Sequence, residues 1–211
     1  MKIYNSGKVF DIDTQLEVCL TLAVMLYHSG KIFIYPADTI YGIGGNPFDK
    51  NVVQRISDIK GRDEGKQFIW LLPDFEKLFN YVDIENEKHI SFLQKIWPGP
   101  VSVILKLNKR IGENINKETV AIRIPDNEFC KKLLAEIRQP LISTSVNLGG
   151  KSPMDNNDII IEKFSSLVDA IFYKAEQTHK TFSTIIDLTT DQPKLIREGT
   201  IKFVELLKYF N

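Results

Sequence analysis

Ile32-Phe33-Ile34-Tyr35-Pro36-Ala37-Asp38-Thr39-Ile40-Tyr41-Gly42-Ile43-Gly44 is a short apolar run stopped by a proline, followed by a glycine-rich polar stretch. Four consecutive apolar residues before a proline predict a buried strand over 32–35. The next residues, to about Phe48, read as a loop bounded by Pro36 and Pro47. Upstream, the apolar spacing predicts a helix over 13–28, with Asp13 or Thr14 as its cap and Ser29-Gly30 as its stop. A helix feeding a buried strand is the unit of an α/β fold, and the rest of the chain repeats it.

Further helices are expected over 51–59, 75–81, 87–97, 126–138, 157–164 and 201–209, with Asp126 capping the fourth of these. Strands are expected over 68–72, 101–107, 119–124, 141–145, 170–173 and 184–188. Several neighbouring strands have no helix between them. The expected architecture is therefore a mixed sheet flanked by helices, in one domain over 1–211.

The totals agree. The chain has 211 residues, 43% of them hydrophobic and 26% charged, enough for one packed core. Lys+Arg and Asp+Glu are 27 each, so the formal charge is zero. That argues against a surface coated for bulk nucleic-acid binding, though it does not exclude a local basic groove. Cys19 and Cys130 are too few for a disulfide framework and read as buried thiols. No apolar run is long enough to span a membrane, and the N-terminus lacks a signal-peptide pattern, so the cytoplasm is the expected location.

Some chemistries are disfavoured. His28, His89 and His179 lie far apart, which makes a protein-held zinc site improbable; no metal ligand is expected from protein side chains. No Ser or Cys stands in a nucleophile elbow. Gly149-Gly150-Lys151-Ser152 has the tail of a phosphate-binding loop without its first glycine. Gly42-Ile43-Gly44 begins a dinucleotide fingerprint whose last glycine falls on Pro47.

Other segments carry more. Lys60-Gly61-Arg62 places two cations one residue apart, and Ser143-Thr144-Ser145-Val146-Asn147 puts hydroxyls and an amide at the end of a strand. Cations beside small polar groups suit a nucleoside triphosphate. Thr39 and Tyr41 offer a hydroxyl and a ring with a polar tip; the same stretch also reads as a capped turn. Arg123 interrupts the apolar run Val120-Ala121-Ile122-Arg123-Ile124-Pro125. It either lies on a solvated face or meets an anion. Trp97-Pro98-Gly99-Pro100 reads as a structural turn with a buried indole. Arg197 is a late cation after Ser183-Thr184-Ile185-Ile186-Asp187-Leu188, and its bland account is a hairpin with a surface ion pair to Glu198 for about 0–1 kcal/mol.

Taken in order, seven segments resemble the YrdC/TsaC family, the L-threonylcarbamoyladenylate synthases: Pro36 to Gly44, Lys60-Gly61-Arg62, Trp97-Pro98-Gly99-Pro100-Val101-Ser102, Val120 to Pro125, Ser145-Val146-Asn147-Leu148-Gly149-Gly150, Ser183-Thr184-Ile185-Ile186-Asp187 and Ile196-Arg197-Glu198-Gly199. The chain departs from the family pattern at Ala37, Asp63, Asp126-Asn127 and Gly149. The resemblance implies a YrdC-like twisted sheet with a concave, basic substrate groove. It implies a reaction joining L-threonine, bicarbonate and ATP into threonylcarbamoyl-AMP and pyrophosphate, for a transferase that modifies tRNA. By that analogy Lys60 and Arg62 hold the triphosphate with Mg2+, and Ser143, Ser145, Asn147 and Arg197 complete the ATP site. Thr39, Tyr41 and Arg123 face the threonine. The alternative is a paralogue of the same superfamily, similar to YciO, that binds nucleotide or RNA without this activity. Weak tRNA binding is a further expectation, and Asp63-Glu64-Gly65-Lys66 is a candidate mobile segment.

Overall fold

The computed structural model describes residues 7–61, 68–148, 151–175 and 181–210. Arg62 and the 63–66 segment lie outside the described residues, as do Gly149, Gly150 and His179. Ten strands form one mixed sheet. In chain order they are β1 (Val9–Asp11), β2 (Phe33–Tyr35), β3 (Gly42–Gly44), β4 (Ile69–Leu71), β5 (Val101–Lys106), β6 (Thr119–Arg123), β7 (Leu141–Ser145), β8 (Ala170–Tyr173), β9 (Thr184–Asp187) and β10 (Lys194–Arg197). Their spatial order is β1-β8-β2-β3-β7-β4-β6-β5-β9-β10. The helices are α1 (Ile12–His28), α2 (Lys50–Lys60), α3 (Glu87–Ile96), α4 (Lys109–Ile115), α5 (Glu128–Ile137), α6 (Asn157–Phe164) and α7 (Phe203–Phe210).

Alternation along each strand assigns residues to two faces. The pairing register puts Ile34, Ile43, Ile142, Trp70, Ile122, Val103 and Ile186 on one face. Two helix layers cover it. Helices α2 and α6 pack over Ile34, Ile43 and Ile142, while α3 and α7 pack over Ile122, Val103 and Ile186. On the other face, α1 and α5 cover Phe33, Tyr35, Leu71 and Leu141. Beyond them the same face presents Ser143, Ser145, Ile69, Arg123, Ser102 and Ile185. That row holds polar side chains, and none of it belongs to the helix-covered clusters apart from Ile69 at the margin.

Expectation and structure differ in places. Asp11, not Asp13 or Thr14, caps α1 by accepting from the Asp13 backbone N–H at 2.9 Å. Asn127, not Asp126, caps α5 by accepting from Cys130 N–H at 3.0 Å. In both, the capping residue has extended backbone angles that aim its side chain at the first turn. The 75–81 stretch is a 3-10 helix over Glu76–Asn80. Strand β3 lies inside the expected loop.

Its Gly42-Ile43-Gly44 sequence has a specific physical use. Tyr35 lies across β3 and donates its hydroxyl to the Ile142 carbonyl at 3.1 Å. A Cβ on Gly44 would stand 2.6 Å from the Tyr35 ring and 2.8 Å from the Ile142 oxygen. The glycines admit a neighbouring ring here. Burial holds the Tyr35 phenol well above its usual range, so it stays a donor. Both thiols are buried, as expected: Cys130 approaches the Pro36 carbonyl at 3.5 Å, and burial raises the Cys19 thiol to about 11. Among the described residues no helix is long and apolar enough to cross a membrane.

Gly44→Ala is expected to lower stability by about 1–3 kcal/mol, the usual cost of overpacking. Urea unfolding monitored by circular dichroism measures it; a stability unchanged within about 0.5 kcal/mol would show that Tyr35 does not need the glycine.

Candidate functional site

The uncovered half-face ends in a small cavity of about 120 Å³. Its lining includes Thr39, Tyr41, Arg123, Ser143, Ser145 and Arg197, six of the residues singled out from sequence. They come from separate parts of the chain: the β2–β3 connection, the end of β6, the end of β7 and the end of β10.

Arg123 is the centre. It is 4% exposed, so its charge needs partners. Nε donates to the Gly99 carbonyl at 3.0 Å and Nη1 to Thr39 Oγ1 at 3.0 Å. Nη2 meets Asp38 Oδ1 in a buried ion pair. Asp38 Oδ2 accepts from the Asp126 backbone N–H at 3.2 Å, which ties the β2–β3 connection to the chain entering α5. Asp38 is thus both counter-ion and turn anchor. Gly99 belongs to the Trp97-Pro98-Gly99-Pro100 turn, which is held by Trp97 Nε1 donating to Val101 O at 2.7 Å and by Gly99 N–H donating to Ile124 O at 2.9 Å. Three of the five N–H groups of the guanidinium are thereby engaged, and Arg123 lines the cavity with Thr39, Ser143 and Ser145.

Lys60, which the resemblance has holding the triphosphate, lies at a helix end beside β7. As the last residue of α2, before the left-handed Gly61 (φ 52°), it is 3% exposed. Its ammonium donates to Ser145 O at 2.6 Å, to Asn147 O at 3.0 Å and to Asn147 Oδ1. Ser145 Oγ donates to Asn147 Oδ1 at 2.6 Å. Lys60, Ser145 and Asn147 therefore form one buried cluster that shapes the end of β7.

Tyr41 anchors its hydroxyl on Lys174, accepting from that backbone N–H at 3.0 Å and lying 3.4 Å from its carbonyl. Burial raises its phenol to about 12. Its polar tip is occupied, so Tyr41 shapes the cavity wall more than it offers a hydroxyl.

Arg197 reaches the site through a β-bulge. Leu195 faces Ile186 and Arg197 faces Ile185, so one extra residue on β10 turns Arg197 to the cavity face. Its Nη2 donates to Ser183 O at 3.0 Å and its guanidinium stacks 4.6 Å from the Phe182 ring centre. The surface pair with Glu198 is not formed. Glu198 instead meets Lys202 at 3.1 Å and accepts from Phe203 N–H at 3.0 Å, capping α7, and these contacts lower its pKa.

Sequence reading missed Ile40, Phe182 and Ser183. Ile40 and Phe182 also line an adjoining cavity of about 430 Å³ that contains Lys151, Ser152 and Asp155. Ser183 Oγ lies 3.0 Å from Ser102 Oγ, two buried hydroxyls that join β5 to the strand entry of β9. Ser183 did lie in a quoted motif; Phe182 carried no signal except its place beside that motif. Among the described residues no group of three or more His, Cys, Asp or Glu is placed to hold a metal.

A family model described as "Telomere recombination", covering the Sua5, YciO and YrdC proteins, matches residues 25–199. The chain is 30% identical over 191 residues to the threonylcarbamoyl-AMP synthase of Pyrococcus abyssi, spanning 90% of this chain and 56% of that protein. It is 29% identical over 191 residues to the uncharacterized protein YciO of Escherichia coli K12, spanning 89% of this chain and 92% of that one. The crystal structure of P. abyssi Sua5 complexed with L-threonine superposes with a TM-score of 0.87 at 28% identity, covering 95% of this chain and 60% of that chain. E. coli YciO superposes with a TM-score of 0.85 at 27% identity, covering 98% and 100%. Fold, motif order and these matches agree: the chain belongs to the Sua5/YciO/YrdC family.

Proposed function

We propose that this chain is an L-threonylcarbamoyl-AMP synthase, joining L-threonine, bicarbonate and ATP. The observation that carries this reading is the cavity built on Arg123, where a buried guanidinium paired with Asp38 sits beside Thr39, Ser143, Ser145 and Arg197. A small carboxylate suits such a fork. The likeness to a Sua5 structure that holds L-threonine supports an amino acid as that carboxylate.

In this reading the threonine carboxylate, or the carbamate made from its amine, meets Arg123. Thr39 and the wall at Tyr41 enclose the side chain. The carbamate oxygen then attacks the α-phosphorus of ATP and pyrophosphate leaves. Attack of one anion on another needs alignment and charge neutralisation more than a nucleophilic side chain. Arg197 and Arg62 supply positive charge, and the adjoining cavity at Lys151 extends the groove for the nucleotide. Mg2+ enters with the triphosphate. Lys60 acts by holding Ser145 and Asn147 where they meet phosphate and ribose. The product passes to a tRNA-modifying threonylcarbamoyl transferase.

A second reading rests on likeness: the chain is as similar to YciO, at 29% identity, as to the synthase, at 30%. A YciO-like paralogue would bind nucleotide or RNA without forming the adenylate.

Pyrophosphate release from ATP and Mg2+, with L-threonine and bicarbonate omitted in turn, separates the two. The synthase requires both; release indifferent to threonine, or none, favours the paralogue. Within the synthase reading, Arg62→Ala should reduce turnover about 10²-fold, the scale of losing one electrostatic donor. Lys60→Met should also lower stability by about 1–3 kcal/mol, because it strips a donor from buried oxygens at Ser145 and Asn147. Turnover near that of the unsubstituted chain in both variants would remove these residues from the site.

A further inference from the structure

We infer that the chain carries a second binding site, on the opposite face of the sheet, for a small amphipathic anion with an apolar or aromatic body. The two helix layers on that face do not meet. Between α2 and the α4–β6 connection they leave a cavity of about 480 Å³, four times the volume beside Arg123. This lies within the usual range of ligand pockets, roughly 300–1,000 Å³.

Its floor is the apolar side of β4, β6 and β7, made by Phe68, Trp70, Val120 and Ile142. Phe48 forms one wall, edge-on to Trp70 with ring centres 5.2 Å apart. Gln54, Ser57, Asn114 and Thr119 complete the lining, so the polar groups stand around the apolar floor and a ligand body lying on that floor meets only apolar side chains. An apolar or aromatic body suits it.

The mouth has one sign of charge. Lys50 stands on the α2 wall and Lys117 on the opposite wall, and no carboxylate belongs to the lining among the described residues. Neither lysine has an ion-pair partner among the described residues. A neighbouring depression shares Phe48 and Asn114 and adds Arg110. Two lysines on flexible stems suit a single carboxylate or sulfonate at the rim; the floor offers no cradle for a polyphosphate. The floor residues alternate along β4 and β7 with Ile69 and Ser143, so the pocket lies directly behind the candidate active site. The inference does not depend on the synthase reading.

The test uses two fluorescent probes that differ in charge, anilinonaphthalene sulfonate and uncharged N-phenylnaphthylamine, titrated against the full chain. The sulfonate should saturate one site per chain. Lys50→Gln with Lys117→Gln should weaken the sulfonate at least fivefold and change the uncharged probe less than twofold. Val53→Trp, which fills the pocket from α2, should abolish binding of both probes, with melting curves confirming that each variant is folded. Absence of a saturable site, sulfonate affinity unchanged in the lysine variant, or binding that survives Val53→Trp would each overturn the inference.

Discussion

The burial of Arg123 is the constraint from which the candidate site follows. A guanidinium at 4% exposure is costly unless its charge and its N–H groups are matched. The match comes from three separate places, Gly99, Thr39 and Asp38. Meeting that requirement brings the β2–β3 connection and the Trp97–Pro100 turn to the end of β6. It also accounts for α1 and α5 leaving the β6–β5 part of their face uncovered, where an apolar helix would bury unmatched polar groups.

A second polar cluster sets the other wall. Lys60 crosses from the end of α2 to the end of β7 and fixes the carbonyls and side chains of Ser145 and Asn147. Tyr35, lying over Gly42 and Gly44, ties β2 to β7 from the covered side. Both devices are local in space and remote in sequence. They hold the site on strand ends, where geometry is better controlled than on a free loop.

Much of this was legible in the sequence. Runs with a clear period gave elements close to those observed, and α6 and β8 have the expected bounds. Strands β1, β3 and β10 were not among those expected: β1 and β3 are three residues long, too short to show alternation, β3 is two-thirds glycine, and β10 is four residues exposed throughout. Helix α4 has only Ile111 and Ile115 as apolar contacts in seven residues. The ordered motifs named Thr39, Tyr41, Arg123, Ser145 and Arg197, and the polar strand end added Ser143; the fold gathers all six in one cavity. Their partners were less visible. That Asp38 answers Arg123, that Lys60 is enclosed, and that a bulge turns Arg197 inward are consequences of strand order and register, which no local pattern encodes.

The most direct measurement is calorimetric titration of L-threonine into the chain and into Arg123→Lys, which keeps the charge and loses the fork, with near-ultraviolet circular dichroism to verify packing. If the buried guanidinium organises the amino-acid site, the unsubstituted chain binds L-threonine and the lysine variant binds it at least tenfold more weakly, about 1.4 kcal/mol. Equal affinity in the two folded proteins, or no binding by the unsubstituted chain, would contradict the assignment of this cavity to threonine.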